Sequence, residues 1–214
     1  PNTDQSILDR LGYLPEERGL YKKMVVRDVL KFLAELKGIP RKVADARIDE
    51  WLERLSLRTA DKDWGKQKVE ELSRGMQQKV QFIGTLVHDH ELVILDEPFS
   101  GLDPINAQAL KDTVVDLKRR GKTVILSSHL LSDVEDVCDR VVIYYGGKVQ
   151  ALGTLKELLA TPDTLRITTP VLSRETMTQV LDVIRKDVAA DKVRVDNPTQ
   201  NLESYFLDVV AKAK

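Results

Sequence analysis

Two adjacent carboxylates follow a short apolar run near the middle of the chain. Residues 92–95 read Leu-Val-Ile-Leu, and Asp96 and Glu97 come directly after them. Such a run is typical of a strand buried on both faces, where unpaired charge is costly, and open α/β sheets bind ligands at the carboxyl ends of their strands. The pattern favours a site in which Asp96 holds the water shell of a hard cation such as Mg2+ and Glu97 polarises an attacking water. Capping of a following helix is the simpler alternative.

A histidine follows the next predicted strand in the same way. Residues 123–126 form a second apolar run, and two serines and His129 come after it. A lone histidine after a strand is usually a surface or capping residue, but the carboxyl ends of neighbouring parallel strands meet at one edge of a sheet. We therefore expect His129 to lie beside the two carboxylates. The other histidines, His88 and His90, sit in a predicted helix-to-strand turn, where we expect solvent exposure.

Two further segments place polar residues or glycine at the predicted starts of helices. Residues 71–79 put Ser73 and Gly75 where a helix should begin, and helix N-termini offer free amide groups to anions. Capping of that helix by Ser73 is an equally good explanation. Residues 100–103 follow the paired carboxylates and end in Asp103, which can cap the next helix together with the proline after it. These segments add polar groups around the predicted strand ends.

The elements that would position these residues alternate between helices and strands. Apolar residues at helical spacing mark the helices, and short apolar runs mark the strands. Helices are predicted at residues 26–37 and 43–55, after Ser73, from Pro104 to Gly121, after Ser132 and after Thr154, and strands at residues 92–95, 123–126, 141–145 and 148–151. All four strands are predicted to be buried. Strands that alternate with helices imply an α/β fold with a mostly parallel sheet.

Beyond residue 161 the pattern loosens. Strand-like runs at residues 165–168 and 193–195, a helix around residues 180–184 and a closing helix from Leu202 predict a small α/β appendage. This part carries no chemical signature of its own, so a regulatory role, a dimer contact and simple packing all stay open.

The composition excludes several classes of protein. With 214 residues, 42% of them hydrophobic, the chain can build one sizeable core. Its 33 basic and 34 acidic residues give a net charge of -1, which provides no general attraction for nucleic acid or an anionic membrane. The single cysteine, Cys138, cannot form an internal disulfide, and this fits a reducing compartment. No apolar run approaches the length that crosses a bilayer.

Taken together, these segments resemble the nucleotide-binding domain of the ABC ATPase family, in the order that the family uses. Residues 72–76 look like its signature motif, residues 92–97 like its Walker B strand, residues 100–103 like its D-loop, and His129 like its switch histidine. Residues 12–16 look like the segment that leads into its Q-loop. Five motifs in the family's order make the resemblance specific.

The resemblance implies a P-loop NTPase-like fold in which two domains enclose two ATP molecules with Mg2+. Each nucleotide is held by the phosphate loop of one subunit and by the signature motif of the other. It follows from the resemblance that Ser73 and Gly75 would contact the γ-phosphate of a nucleotide bound by a partner subunit.

The remaining motif residues acquire roles from the same resemblance. Glu97 would be the general base, Asp96 the magnesium residue and His129 a contact to the γ-phosphate. Asp103 would couple the two subunits across the dimer. Glu16 stands where family members usually have the Q-loop glutamine, so a carboxylate there would add negative charge beside the phosphates.

Two departures from the family pattern affect the expected activity. Arg74 and Met76 replace a glycine and a glutamine of the commonest signature. The phosphate loop, Gly-x-x-x-x-Gly-Lys-Ser/Thr, is not found in the sequence: residues 121–123 have its ending, but Asp116 stands where its first glycine belongs. We therefore expect negligible ATPase activity from this chain alone. The chain begins with Pro1, and both truncation and natural loss of the loop stay open.

The resemblance favours the ATP-hydrolysing subunit of a transporter that exports solutes through a membrane permease. It predicts a permease and a second ATP-binding subunit as partners, no nucleic acid, and a cytoplasmic position at the inner face of the cell membrane. Residues 1–160 would form the nucleotide-binding domain, with a helical subdomain at about residues 21–90, and residues 161–214 the appendage. Alternatives are an ABC ATPase that serves DNA repair or translation, and a non-catalytic interaction fragment.

Overall fold

The fold was determined as a computed structural model, which describes residues 10–17, 19–160, 165, 167–195 and 211–212. Contacts divide the chain into two compact units, Pro1–Leu155 and Lys156–Lys214. The division predicted after residue 160 lies close to this boundary, and the assignment of functional domains to the two parts stays a prediction. Within the described ranges, no helix combines the length and the apolar character that a membrane span requires.

A parallel sheet forms the centre of the first unit. Its three strands run in the same direction, with β2 between the other two. They are β1 (Leu11–Leu14), β2 (Leu92–Asp96) and β3 (Thr123–Ser127). Asp96, the last residue of β2, lies opposite Ser127, the last residue of β3. The predicted parallel α/β arrangement is thus confirmed, and the carboxyl ends of the strands meet at one edge.

The burial of β2 agrees with the prediction, whereas that of β3 does not. Val93 and Leu95 of β2 are buried. In β3, Val124 and Leu126 pack against the core, but Ile125 on the other face is 53% exposed. The prediction of a second buried strand was wrong because, among the described residues, β3 pairs only with β2 and lies at the edge of the sheet.

The helices begin and end close to the predicted positions. In the first unit they are α1 (Val26–Leu36), α2 (Arg41–Arg54), α3 (Arg74–Leu86), α4 (Pro104–Arg119), α5 (Leu131–Val137) and, across the boundary of the units, α6 (Leu155–Leu158). Local chemistry explains the starts of α3 and α4. The Ser73 hydroxyl accepts a hydrogen bond from the Met76 amide at 3.3 Å, and Asp103 Oδ1 accepts one from the Asn106 amide at 3.0 Å.

Helices α1, α2 and α3 pack on one another, and α3 also packs on β1 of the sheet. Leu30, Leu52 and Phe82, one from each helix, are fully buried. Gly84 permits the close approach of α1 and α3, because a Cβ at this position would lie 2.7 Å from Leu33 Cδ1. These contacts hold α3, which is capped by Ser73 and has Gly75 in its first turn, in place beside the sheet.

The next two strands form a separate antiparallel ribbon. They are β4 (Arg140–Tyr145) and β5 (Lys148–Thr154). Their predicted positions are confirmed, but the prediction that both strands are buried was wrong, since Tyr144, Tyr145 and Val149 are exposed. The turn explains the pairing: Gly146 and Gly147 both have positive φ, and a two-residue turn of this kind returns the chain directly alongside itself.

The second unit contains helix α7 (Arg174–Ile184), which includes the predicted helix at residues 180–184. Ser173 caps it by accepting a hydrogen bond from the Thr176 amide at 3.1 Å. Strands were also predicted at residues 165–168 and 193–195. This prediction was wrong for the described residues of both ranges, which form no strand. A run of strand-forming residues without a neighbouring strand leaves its backbone groups unpaired. The closing helix predicted from Leu202 lies largely outside the described residues.

The two histidines before β2 are less exposed than predicted. His90 is buried, and its ring contacts Gly12 of β1, where a Cβ would lie 2.8 Å from His90 Cδ2. The His88 and His90 rings are 5.1 Å apart. Burial, together with the nearby charges of His90, Lys37 and Arg47, lowers the pKa of His88 from 6.5 to about 4. The expectation of solvent exposure was wrong because β1 and α3 cover this turn.

His88 should make the stability of the fold depend on pH. The unfolded chain takes up a proton at His88 near pH 6.5 and the folded chain only near pH 4, so stability is present above pH 6.5 and falls as the pH drops towards 4. The loss is on the order of 2 kcal/mol, after allowance for partial solvent screening. In urea unfolding at several pH values, His88→Asn should show a shallower decline than the wild type. Equal declines would contradict the assignment.

Candidate functional site

The carboxyl ends of β2 and β3 bring the predicted carboxylates and the predicted histidine together. His129 Nδ1 lies 2.8 Å from Glu97 Oε2. The side chain of Glu97 is 17% exposed, and that of His129 is 64% exposed. A largely buried carboxylate is therefore paired with an imidazole that still faces solvent. This is an arrangement in which the acid can act on a water while the ring reaches a ligand.

Asp96 lies beside this pair and is held by the neighbouring strand. The Ser127 hydroxyl donates a hydrogen bond to Asp96 Oδ1 at 2.5 Å, and the same oxygen of Ser127 accepts one from the Glu97 backbone amide at 3.1 Å. Glu97 itself has φ of 46°, a left-handed conformation that is uncommon for a residue with a side chain. One hydroxyl of β3 thus contacts both acidic residues of β2.

The donor set fits a magnesium ion that is bound together with a ligand. Mg2+ usually keeps several waters and takes one or two carboxylates in addition to phosphate oxygens. The described part of the chain contains no group of three or more His, Cys, Asp or Glu that would hold a metal alone. Asp96 has one carboxylate oxygen bonded to Ser127 and a second that can face a hydrated cation.

Ser73 and Gly75 lie at the start of α3, as predicted. Ser73 does cap the helix, but a hydroxyl that accepts a hydrogen bond keeps its own proton for another partner. Gly75 is buried against α4, where a Cβ would lie 3.0 Å from Asn106 Nδ2. The capping and anion-binding interpretations are therefore compatible for Ser73, while Gly75 permits the close packing of α3 against α4.

Asp103 caps α4 next to this contact. Its Oδ2 accepts a hydrogen bond from Asn106 Nδ2 at 2.5 Å. Burial by itself would raise the pKa of Asp103, but hydrogen bonds from Asn106 outweigh it and hold the pKa below its usual value. The buried Lys79 donates to the Leu55 carbonyl at 3.0 Å, and burial lowers the pKa of Lys79 against the opposing charge of Asp103. Asp103 is thus an ionised, firmly held carboxylate.

Glu16 lies at the same sheet edge but in a different setting. It follows Leu14, which pairs with Leu95, and its side chain is exposed. The flanking backbone is fixed by Gln81 of α3, whose Nε2 donates to the carbonyls of Pro15 and Glu17 at 3.1 Å each. The structure therefore places Glu16 on a segment whose backbone is tied to α3 on either side of it.

Sequence reasoning missed four polar residues that organise these segments: Ser127, Gln78, Gln81 and Asn106. The buried amide of Gln78 donates to the Pro98 carbonyl at 3.3 Å, and so fixes the chain after the paired carboxylates. Only Ser127 left a signal in the sequence, because its place at the end of a strand parallel to β2 put it near Asp96. The glutamines read as ordinary polar positions of a helix.

Comparison with known proteins gives consistent matches. A family model described as ABC transporter matches residues 2–100. The chain is 40% identical over 201 residues to the ABC transporter ATP-binding protein MJ1023 of Methanocaldococcus jannaschii, and the match covers 93% of this chain and 75% of that protein. It is 49% identical over 152 residues to the ABC transporter ATP-binding protein YhaQ of Bacillus subtilis, which covers 71% of this chain and 50% of YhaQ.

The chain therefore spans about half the length of YhaQ. A third relative, the fluoroquinolones export ATP-binding protein Rv2688c of Mycobacterium tuberculosis, is 37% identical over 150 residues, 70% of this chain and 47% of that protein. These shares show that the matched relatives contain residues beyond those aligned here.

Solved structures agree with the fold. The structure of an ATP-binding subunit of an ABC transporter matches with a TM-score of 0.64 and 30% identity, and the match covers 72% of this chain and 62% of that one. The structure of cbiO1 from Clostridium perfringens, part of the ABC transporter complex cbiONQ, matches with a TM-score of 0.62 and 22% identity over 86% of this chain and 66% of that one. The second match bears on the fold alone.

Proposed function

Because this chain belongs to the ABC transporter family, we propose that it carries the signature motif, the catalytic carboxylate and the switch histidine of a subunit that binds and hydrolyses ATP. The observation that supports this most is the 2.8 Å contact between Glu97 and His129 at the ends of adjacent parallel strands. The five motifs in the family's order and the relative that aligns over nearly the whole chain support it further.

The proposed chemistry is hydrolysis of the terminal phosphate bond of ATP by water. Glu97 accepts a proton from the water whose oxygen attacks the terminal phosphorus, while the bond from that phosphorus to ADP breaks. Asp96 would hold a hydrated Mg2+, which would supply positive charge that offsets the charge on the phosphate oxygens. Shielding of Glu97 by its neighbours keeps bulk water from competing for the carboxylate.

The two ring nitrogens of His129 have different partners in this scheme. Nδ1 lies 2.8 Å from Glu97 Oε2 and is occupied by that contact. Nε2 is the ring nitrogen left to donate its N–H to a γ-phosphate oxygen.

The signature residues act on a nucleotide held by a second subunit. The free hydroxyl proton of Ser73 and the amide groups at the start of α3, including that of Gly75, donate to the γ-phosphate. Asp103 couples the two subunits. Glu16 takes the place of the Q-loop glutamine, where it can approach Mg2+ but adds negative charge beside the phosphates.

The proposed partners are a membrane permease and a second ATP-binding subunit, with the chain at the inner, cytoplasmic face of the membrane. Export of a solute is supported by the relative named for fluoroquinolone export, and assembly with other subunits of a transporter by the relatives named as ABC transporter ATP-binding proteins. We assign residues 1–160 to the nucleotide-binding domain, with a helical subdomain at about residues 21–90, and residues 161–214 to an appendage.

The chain by itself should hydrolyse ATP at a negligible rate. Its sequence contains no phosphate loop, and the amide cradle and lysine of that loop supply much of the charge that stabilises phosphoryl transfer. ATP turnover of the purified chain should be at background. A fusion to a phosphate-loop segment taken from a relative should restore turnover, and a loop with its lysine changed to alanine is the control.

Two outcomes of this experiment would count against the proposal. Turnover by the chain alone within about tenfold of the fusion would show that the loop is dispensable. A folded fusion that binds ATP without turning it over would favour the second candidate, a non-catalytic interaction domain, which the missing loop motif also permits.

A further inference from the structure

We propose that Ser127 is a positioning residue for both acidic residues of the site: its hydroxyl selects the Asp96 oxygen that faces the cation and holds the backbone that aims Glu97 at His129. The proposal rests on the proposed function for its catalytic consequence. Its structural part stands on hydrogen bonds that can be measured without nucleotide.

The Ser127 hydroxyl donates one hydrogen bond and accepts another. A serine hydroxyl has one proton, and here the proton goes to Asp96 Oδ1, at an O···O distance of 2.5 Å. The lone pairs of the same oxygen face the Glu97 amide at 3.1 Å. Because Asp96 and Ser127 are opposite residues in the register of β2 and β3, the strands themselves set this contact.

The bond to Asp96 differentiates the two carboxylate oxygens. Oδ1 already accepts a hydrogen bond from the hydroxyl, so its remaining capacity to bind a cation is reduced. Oδ2 is left as the stronger acceptor. The serine therefore fixes the rotation of the carboxylate and presents one chosen oxygen to the hydration shell of Mg2+.

The bond to Glu97 acts on the backbone. A φ of 46° is unfavourable for glutamate, and such a conformation persists only where surrounding contacts hold it. The Ser127 oxygen accepts the Glu97 amide proton in this conformation. Without that acceptor, Glu97 can relax towards ordinary dihedral angles, and its carboxylate then leaves the position 2.8 Å from His129 Nδ1.

Substitutions at Ser127 separate this role from simple packing. Ser127→Ala removes the hydroxyl, and Ser127→Thr keeps it on a side chain suited to a strand. Thr123→Ala is a matched control, because Thr123 lies on the same face of β3 at its other end. The measurement is hydrogen exchange of the Glu97 amide by NMR in the 214-residue chain, with the urea midpoint as a measure of global stability.

In Ser127→Ala, exchange of the Glu97 amide should be roughly threefold to tenfold faster, as expected from loss of one hydrogen bond. It should be unchanged in Ser127→Thr and Thr123→Ala, and the stability of Ser127→Ala read from the urea midpoint should fall by no more than the same threefold to tenfold factor in the unfolding equilibrium. Unchanged exchange in Ser127→Ala would overturn the proposal. If that variant does not fold, the isosteric pair Ser127→Val and Ser127→Thr makes the same comparison.

The catalytic consequence is measured in the chain fused to a phosphate-loop segment. Ser127→Ala should lower kcat for ATP about tenfold or more, with KM within about twofold of wild type, and threonine should restore kcat. A wild-type fusion without turnover would refute the proposed function, while the amide exchange would still decide the role of Ser127. Altered exchange with unaltered kcat would refute the catalytic part alone.

Discussion

Replacement of Glu97 by glutamine is expected to lower kcat for ATP hydrolysis by roughly a hundredfold to ten-thousandfold, the usual contribution of a general base. The amide oxygen of glutamine can still accept the hydrogen bond from His129 Nδ1, so the geometry at the end of β2 should persist. What is lost is the ability to take a proton from water. The change should therefore appear in kcat and leave the affinity for ATP near that of the wild type.

The measurement is steady-state ATP turnover, together with ATP binding, in the chain fused to a phosphate-loop segment. Glu50→Gln makes the same chemical change on the exposed side of α2 and should leave turnover unchanged. A Glu97→Gln variant that retains more than about a tenth of the wild-type kcat would exclude Glu97 as the general base.

The second large effect concerns stability, at a buried ion pair between α4 and α5. Lys111 Nζ lies 2.8 Å from Asp133 Oδ1, with side chains 3% and 8% exposed, and 2.8 Å from the more exposed Asp136. Lys111→Met would leave the Asp133 charge buried without its partner. We expect a loss of about 3–5 kcal/mol in the free energy of unfolding, as found when one partner of a buried pair is removed. Urea unfolding measures this loss.

Two further variants test the reason for that loss. The double change Lys111→Met with Asp133→Leu removes both charges and should recover a large part of the stability, because replacing a buried pair by apolar residues is often close to neutral. Lys118 lies on the same helix as Lys111 and forms a more exposed ion pair with Asp139. Lys118→Met breaks this pair and should lower the free energy of unfolding by about 1 kcal/mol or less. Similar losses in Lys111→Met and Lys118→Met would show that burial of the pair contributes little.

This ion pair also bears on the site. α5 begins two residues after His129, and α4 begins directly after Asp103. The Lys111–Asp133 contact therefore joins the helix that follows the histidine to the helix that Asp103 caps. A second link, between Arg54 of α2 and Asp116 at 2.6 Å, joins α4 to the helical group.

Most elements of the first unit could be predicted because their signals are local. Helical periodicity located α1 to α4, and Asp103 with the following proline marked the start of α4 through a cap that needs no distant residue. The turn at Gly146 and Gly147 is equally local, since positive φ is cheap only for glycine. β1 was missed because four residues give little periodicity, and its pairing depends on β2.

The wrong predictions about strands depend on the number of neighbours that a strand acquires. Apolar composition placed β3 and β4 correctly along the chain, but burial requires partners on both faces, and Ile125 and Tyr145 remain exposed. The runs near residues 167 and 193 have strand-forming composition yet form no strand in the described part of the chain. Residue composition indicates that a segment can form a strand, but the strand forms only where a neighbouring strand pairs with it.

The sequence alone determined where the candidate functional groups of this protein lie along the chain: paired carboxylates after an apolar strand, a histidine after the next strand, and a serine and a glycine at the start of a helix. Only the tertiary structure decided how these groups are held, through Ser127 between Asp96 and Glu97 and through Gln81 beside Glu16. The physical reason is that residue type and spacing set local conformation, whereas hydrogen bonds between residues far apart in the chain exist only once strands and helices are packed.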